Sequence, residues 1–271
     1  MIKRRILGRT GLEVSEIGFG ALEIGRDWAA DVNSDPSHPT DKEAERILNG
    51  ILDLGINFID TAPAYWNSEE FIGRALSRRR GEFILATKVG ERCDRSGSEY
   101  DYSGPAVARF IENSLKKLRT DHIDLIQIHS ARMEVLERGE TYLAMEKARQ
   151  EGKARFIGMT GGAPECLKAV ELGCFDTIQV PYSLLNLASE DGLLEKAREN
   201  NVGVIIMRGL AGGKLTEKFE RLENEALREA IRGLLQFTGP GKEASSLAHL
   251  ALGYVLAHPA VCTVIAGTRR L

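Results

Sequence analysis

Phe83-Ile84-Leu85-Ala86-Thr87-Lys88-Val89, then the amphipathic stretch Pro105–Leu118, then Ile123-Asp124-Leu125-Ile126-Gln127-Ile128-His129 form one strand, helix and strand in succession. A short run rich in Ile, Leu, Val and Phe followed by a longer stretch of 3.6-residue period is the signature of a βα unit in a parallel sheet. Pro105 stands where proline is tolerated, in a first helical turn. Working outward, the same rhythm recurs. It predicts strands at Ile17–Ala21, Ile56–Asp60, Phe83–Val89, Ile123–His129, Arg155–Met159, Thr177–Val180, Gly203–Met207 and Thr263–Ala266. Eight parallel strands is the number of a (β/α)₈ TIM barrel, which fits the length of 271 residues as a single domain spanning 1–271.

Between the strands, Lys42–Leu54 carries Ala44, Ile47, Leu48 and Ile51 on one face, and Val135–Gln150, Glu165–Leu172, Ser189–Asn200 and Ala244–Ala257 share that period. Ahead of the first barrel strand, Arg4–Leu7 and Leu12–Ser15 flank Gly8-Arg9-Thr10-Gly11, which reads as a β-hairpin capping the barrel bottom. The polar segment Arg26–Thr40 reads as a loop inserted after the first strand.

The composition, 43% hydrophobic and 28% charged with a net charge of −3, is that of an ordinary globular chain and offers no basic face for nucleic acid or an anionic membrane. Arg78, Arg79 and Arg80 close a helical stretch before Gly81, where cations complement the helix C-terminus. Cys93, Cys166, Cys174 and Cys262 show neither CxxC nor metal-ligand spacing and read as reduced thiols. No signal peptide or membrane-spanning run is present, so a cytoplasmic location is expected.

In a barrel of this type chemistry is built where the strands end. Here the second strand ends in Asp60 and leads to Tyr65, the third carries Lys88, and the fourth ends in His129. A phenol with a reference pKa near 10 needs help to act as an acid near neutrality. A neighbouring Lys88 ammonium would lower the Tyr65 pKa, Asp60 would keep that ammonium charged, and His129 could donate a hydrogen bond to a carbonyl oxygen.

Longer motifs sharpen this. Asp60-Thr61-Ala62-Pro63-Ala64-Tyr65 with Ser68-Glu69-Glu70-Phe71-Ile72-Gly73-Arg74-Ala75-Leu76 resembles the signature segment of aldo-keto reductases. Leu7–Leu12 with Ile17–Gly20, Ala86-Thr87-Lys88, Asp121–Leu125 leading to His129, and Gly152–Gly158 resemble the same family over nearly the whole chain. The resemblance implies a catalytic tetrad of Asp60, Tyr65, Lys88 and His129, in which Tyr65 protonates a carbonyl oxygen while NADPH delivers hydride to carbon. It also implies cofactor contacts from Gly20, Ala21, Asp60, Thr160, Gln179, Met207, Arg208, Leu210, Gly212, Gly267 and Arg269. Gln179 matches the residue that holds the nicotinamide carboxamide, Leu210–Leu215 the glycine loop over the pyrophosphate, and Arg269 the basic position for the adenosine 2′-phosphate. A small carbonyl substrate follows.

Three features depart from the family. Thr160-Gly161 stands where relatives carry Ser-Asn, Met207 where many place a tyrosine under the nicotinamide, and the chain stops at Leu271, where a last helix would follow. An apparently missing last helix would leave strand Thr263–Ala266 short of a cover, so further residues or another subunit of a homo-oligomer are expected there. The alternative function is a cofactor-sensing regulatory subunit resembling potassium-channel β subunits, which binds NADPH with little turnover; a barrel isomerase or lyase is a third reading.

Overall fold

The structure, a computed structural model, describes residues 2–26, 39–94 and 96–270. The chain begins with an antiparallel pair, β1 (Arg4–Ile6) and β2 (Glu13–Ser15), joined by a 3₁₀ turn at Gly8–Thr10. Strands β3 (Ile17–Gly20), β4 (Phe58–Asp60) and β5 (Ile84–Val89) follow, then a small hairpin of β6 (Glu91–Asp94) and β7 (Gly97–Tyr100). After it come β8 (Ile123–Ile128), β9 (Ala154–Thr160), β10 (Thr177–Pro181), β11 (Gly203–Met207) and β12 (Val261–Ala266). β3, β4, β5, β8, β9, β10, β11 and β12 close, in that order and all parallel, into one barrel. All eight runs expected as strands therefore lie in the barrel.

Ten α-helices lie among the described residues: α1 (Leu22–Gly25), α2 (Asp41–Asp53), α3 (Ser68–Leu76), α4 (Gly104–Leu118), α5 (Met133–Arg138), α6 (Glu140–Gln150), α7 (Ala163–Leu172), α8 (Leu193–Glu199), α9 (Glu225–Leu234) and α10 (Leu247–Ala257). Helix α2 starts at a capping box in which Thr40 and Glu43 satisfy each other's backbone N–H. The expected helix Val135–Gln150 is instead two helices, because Gly139 at φ +68° turns the chain between α5 and α6. The stretch Ser189–Asn200 is likewise shortened to α8 by Gly192 at φ +82°. Helix α3 ends at Leu76 and runs on into a 3₁₀ helix, Ser77–Glu82, that carries the arginine cluster, so the helical stretch is closed there as expected, with Arg79 paired to Glu82 and Asp53 and Arg80 to Asp124. Most of the predicted loop Arg26–Thr40, residues 27–38, lies outside the described residues.

The period-two alternation of the strands separates two environments. Ile59 and Leu85 point outward against α2 and α3, whereas Ile126, Ile128, Ile157 and Val204 pack with α4 to α8 and α10. Phe58, Ile84, Ala86, Leu125 and Ile205 point into the barrel and pack on Leu7, Leu12 and Val14 of the hairpin. The hairpin plugs the end where β11 begins: Arg9 donates its backbone N–H to Asn201 O at 2.7 Å, and a β-carbon on Gly8 would come within 2.3 Å of Gly203 N. The opposite end of the barrel is left for the site. No helix among the described residues is long and apolar enough to cross a membrane.

Candidate active site

The strand parity that sends Phe58, Ala86 and Leu125 inward sends Asp60, Lys88, Gln127 and His129 inward one and two steps later. Register then decides who meets whom. Asp60 pairs with Ala86 across β4 and β5, one inward step before Lys88, and Lys88 pairs with Gln127 across β5 and β8, so the three side chains are neighbours in the interior. Lys88 Nζ donates to Asp60 Oδ2 at 2.6 Å and to Thr61 O at 2.9 Å, and Gln127 Nε2 donates to Asp60 Oδ1 at 3.1 Å. Both oxygens of Asp60 are thus satisfied, which a buried carboxylate requires. Lys88 and Asp60 are each 1% exposed.

Tyr65 closes a 3₁₀ turn, Pro63–Tyr65, immediately after β4. The turn is anchored by α3: Thr61 and Ser68 share a hydroxyl hydrogen bond of 2.7 Å, and Thr87 donates to the buried Glu69 at 2.7 Å. Burial pushes the Glu69 carboxyl above its ordinary range. The Lys88 ammonium lies 4.8 Å from the centre of the Tyr65 ring, and the rings of Tyr65 and His129 meet edge-on at 5.7 Å. The four residues expected as a tetrad therefore converge at the C-terminal mouth of the barrel.

The electrostatics correct one expectation. Burial pushes the Tyr65 phenol above its ordinary value of 10.0, with Asp60 and Glu91 acting in the same direction, and the Lys88 ammonium offsets only part of the rise. Net lowering by Lys88 does not occur. Burial by itself would discharge Lys88, but Asp60 and Tyr65 outweigh it and raise its pKa. Burial, and then the charges of Lys88 and Arg26, hold His129 well below its usual 6.5, so it is neutral at pH 7.

Two neighbours were not expected. Gln127 orders Asp60, and Glu91, the first residue of β6, places Oε2 3.1 Å from His129 Nδ1. The angle of that approach falls outside hydrogen-bond geometry, leaving Nδ1 buried without a directed partner, so the contact is electrostatic. Gln127 stood in a quoted strand end, and its parity with His129 was the signal. Hairpin β6–β7 carried none, since all of β7 is exposed.

The remaining predicted positions ring the same mouth. Gly20 ends β3, and Ala21 donates its backbone N–H to Asp60 O at 2.8 Å. Thr160 ends β9, its hydroxyl accepting from Ser130 N at 2.9 Å. Gln179 is paired with Thr160 in register, and its Oε1 is buried without a partner. Met207 ends β11, and Arg208, Leu210 and Gly212 form the turn behind it, with Gly212 at φ +68°. A β-carbon at Gly161 would sit 3.1 Å from Met159 Cε and 3.2 Å from Glu165 Cβ, so the glycine suits a crowded spot. Gly267 follows β12 against Glu23, and Arg269 is tied there, its Nε donating to Glu23 Oε2 at 3.1 Å and to Glu23 O at 3.2 Å. A cleft of about 700 Å³ borders the Tyr65 turn through Pro63 and Trp66, but none of the four tetrad residues lines it. The four candidate residues sit in the mouth instead.

The model of the aldo/keto reductase family matches residues 16–271. The chain belongs to that family. Among its relatives, L-galactose dehydrogenase of Arabidopsis thaliana is 34% identical over 98% of this chain and 84% of its own length. The oxidoreductase YqkF of Bacillus subtilis (strain 168) is 33% identical over 100% of this chain and 88% of its own. The solved structure of aldo-keto reductase AKR11C1 from Bacillus halodurans, in its holo form, is 32% identical with a TM-score of 0.84, covering 100% of this chain and 87% of that one. This aldo/keto reductase is accordingly an NAD(P)H-dependent oxidoreductase on a (β/α)₈ barrel.

Proposed function

We propose that the protein reduces a small aldehyde or ketone to the alcohol with NADPH, and that Tyr65 is the proton donor. The observation that carries this reading is a phenol kept protonated by its surroundings, facing a lysine ammonium that is itself clamped to Asp60 at 2.6 Å. As the carbonyl oxygen gains negative charge, Tyr65 gives it a proton, and the phenolate left behind is stabilised by Lys88. Asp60 holds Lys88 in place and keeps it charged through the exchange, while Gln127 fixes the carboxylate. Enclosure of these groups strengthens every charge interaction among them. Bound nicotinamide would supply the hydride.

The residues present fit such a cofactor. Gln179 Oε1, enclosed and unpartnered, is an acceptor suited to a carboxamide N–H. Gly20, Ala21, Thr160 and Met207 would line its ring and ribose, and Arg208, Leu210 and Gly212 its phosphates, at a turn whose positive-φ glycines bring backbone N–H groups close to an anion. The preference for NADPH rests on Arg269 beside Gly267, because a guanidinium suits a phosphate dianion. The four free cysteines suit a reducing compartment such as the cytosol.

The test is Tyr65→Phe. It should lose about 10²–10⁴ in the rate of carbonyl reduction while binding NADPH with unchanged affinity, read by intrinsic fluorescence. Unchanged turnover would remove Tyr65 from the role of donor. Tight NADPH binding without turnover of any carbonyl by the unmodified protein would replace the reaction with cofactor sensing.

A further inference from the structure

We infer that Gly25 is a positioning residue for Tyr65: by carrying no side chain it lets helix α1 bear directly on the turn of the proton donor, so that α1 sets the spacing between Tyr65 and the cofactor seat. The inference rests on the proposed reaction in taking Tyr65 as the donor and Gly20, Ala21 and Arg269 as cofactor positions.

Gly25 closes α1 and is buried. A β-carbon there would come within 2.2 Å of Tyr65 O, 2.5 Å of Ser68 Cβ and 2.7 Å of Ser68 N. Two of these atoms are backbone, so no side-chain rotation relieves the overlap. Gly25 lies in helical, not left-handed, backbone. Space rather than conformational freedom therefore demands glycine here. The turn it meets has no slack. Trp66, the residue after Tyr65, is held at φ +51° and ψ −107°, a conformation costly for a tryptophan that persists only where the surroundings over-determine it. The contact with Gly25 and the 2.7 Å hydroxyl hydrogen bond between Thr61 and Ser68 are such surroundings.

Helix α1 cannot retreat either. At its start Ala21 donates its backbone N–H to Asp60 O at 2.8 Å, Ile24 is enclosed in the core, and Arg269 Nε donates to Glu23 O at 3.2 Å and to Glu23 Oε2 at 3.1 Å. A β-carbon on Gly267 would lie 2.4 Å from Glu23 Cγ, so the chain after β12 abuts α1 as well. The helix is thus wedged between the positions proposed for the cofactor and the turn that carries Tyr65. Hydride and proton must reach the same carbonyl group from two sources, and a misplacement of about 1 Å between such partners costs about 10²-fold in rate. A methyl group at Gly25 displaces the Tyr65 backbone, and the phenol with it.

The test is Gly25→Ala, read first without turnover. In protein labelled with ¹³C-tyrosine, the Tyr65 ring signals are assigned by their loss in Tyr65→Phe, and Gly25→Ala should shift them more than those of the other five tyrosines. In kinetics, kcat for carbonyl reduction should fall about 10²-fold with the NADPH dissociation constant unchanged. The solvent deuterium isotope effect on kcat should rise relative to the effect of deuterium at the nicotinamide C4, because proton delivery is the step that suffers. A protein that is merely less folded would lose kcat with both isotope effects unchanged. Should Gly25→Ala not fold, Glu23→Gln decides, since Glu23 is part-exposed. Its weaker hold on Arg269 loosens α1 from the other end, so the Tyr65 signals and the solvent isotope effect should move in the same sense and by less, with NADH as with NADPH. Unmoved Tyr65 signals, or a loss of kcat with unchanged isotope effects, in whichever of the two variants folds would overturn the inference. Shifted Tyr65 signals in a protein whose Tyr65→Phe variant turns over normally would count against the proposed reaction and uphold the seating of Tyr65 on α1.

Discussion

Lys88 and Asp60 meet at 2.6 Å with each side chain 1% exposed, and the pair bridges β5 and β4 at the level where the barrel opens. Removing one partner of a buried pair leaves the other charge uncompensated, at a cost of about 3–5 kcal/mol. Asp60→Asn should therefore destabilise the fold by that order in urea denaturation and abolish reduction. A double variant, Asp60→Asn with Lys88→Met, should recover part of the stability and none of the activity. A double variant no more stable than Asp60→Asn would show that the charge is not the source of the loss.

His129 sets an acid limit on stability. Unfolded, it takes a proton near pH 6.5; folded, burial and the charges of Lys88 and Arg26 keep it neutral to lower pH. In that window the unfolded state binds more protons, so the contribution is fully present above pH 6.5 and is lost as pH falls toward the folded value. Denaturation midpoints measured from pH 7 downward should fall less steeply in His129→Gln than in the unmodified protein, by up to about 1.4 kcal/mol per pH unit. Parallel curves would mean that His129 titrates as it does unfolded.

Tyr65 sets the opposite limit. Its raised pKa keeps the phenol protonated where an ordinary tyrosine begins to ionise, near pH 10. The rate of carbonyl reduction should thus show no loss of a proton donor between pH 7 and pH 9. Stability should decline as pH rises above about 10, because there the unfolded state holds fewer protons than the folded one. A reductive kcat that falls with an apparent pKa below 9 would point to another acid.

Arg269 reaches the cofactor end of the barrel already paired with Glu23. A 2′-phosphate would have to share or displace that carboxylate. Glu23→Gln should accordingly tighten NADPH more than NADH, and Arg269→Ala should weaken NADPH by about 1.5–3 kcal/mol, the worth of a charged hydrogen bond, with NADH little changed. Both are read from dissociation constants. Equal NADPH and NADH affinities in the unmodified protein would withdraw the preference.

At the plugged end, Gly8 combines φ +50° with a β-carbon position 2.3 Å from Gly203 N. Gly8→Ala should cost more than about 1 kcal/mol in denaturant unfolding, with little change in kcat because the hairpin lies opposite the site. Gly11→Ala, equally left-handed but with open space around it, should cost less.

The barrel and most of its rim were legible in the amino-acid order. Eight apolar runs with helices between them are local patterns, each legible within a dozen residues, and they set Asp60, Lys88 and His129 at the C-terminal ends of their strands. The glycines that break Val135–Gln150 and Ser189–Asn200 into shorter helices were visible too, but a glycine is compatible with either conformation until neighbouring helices fix its φ. The contacts around these residues became visible once the barrel had closed. Gln127 on Asp60, Glu91 on His129 and Glu23 on Arg269 join residues 67, 38 and 246 positions apart, and such pairings depend on register and closure, which no local period encodes. The net direction of the Tyr65 shift was beyond sequence for the same reason. It is the difference between burial and the Lys88 charge, and neither has a magnitude until the chain is folded.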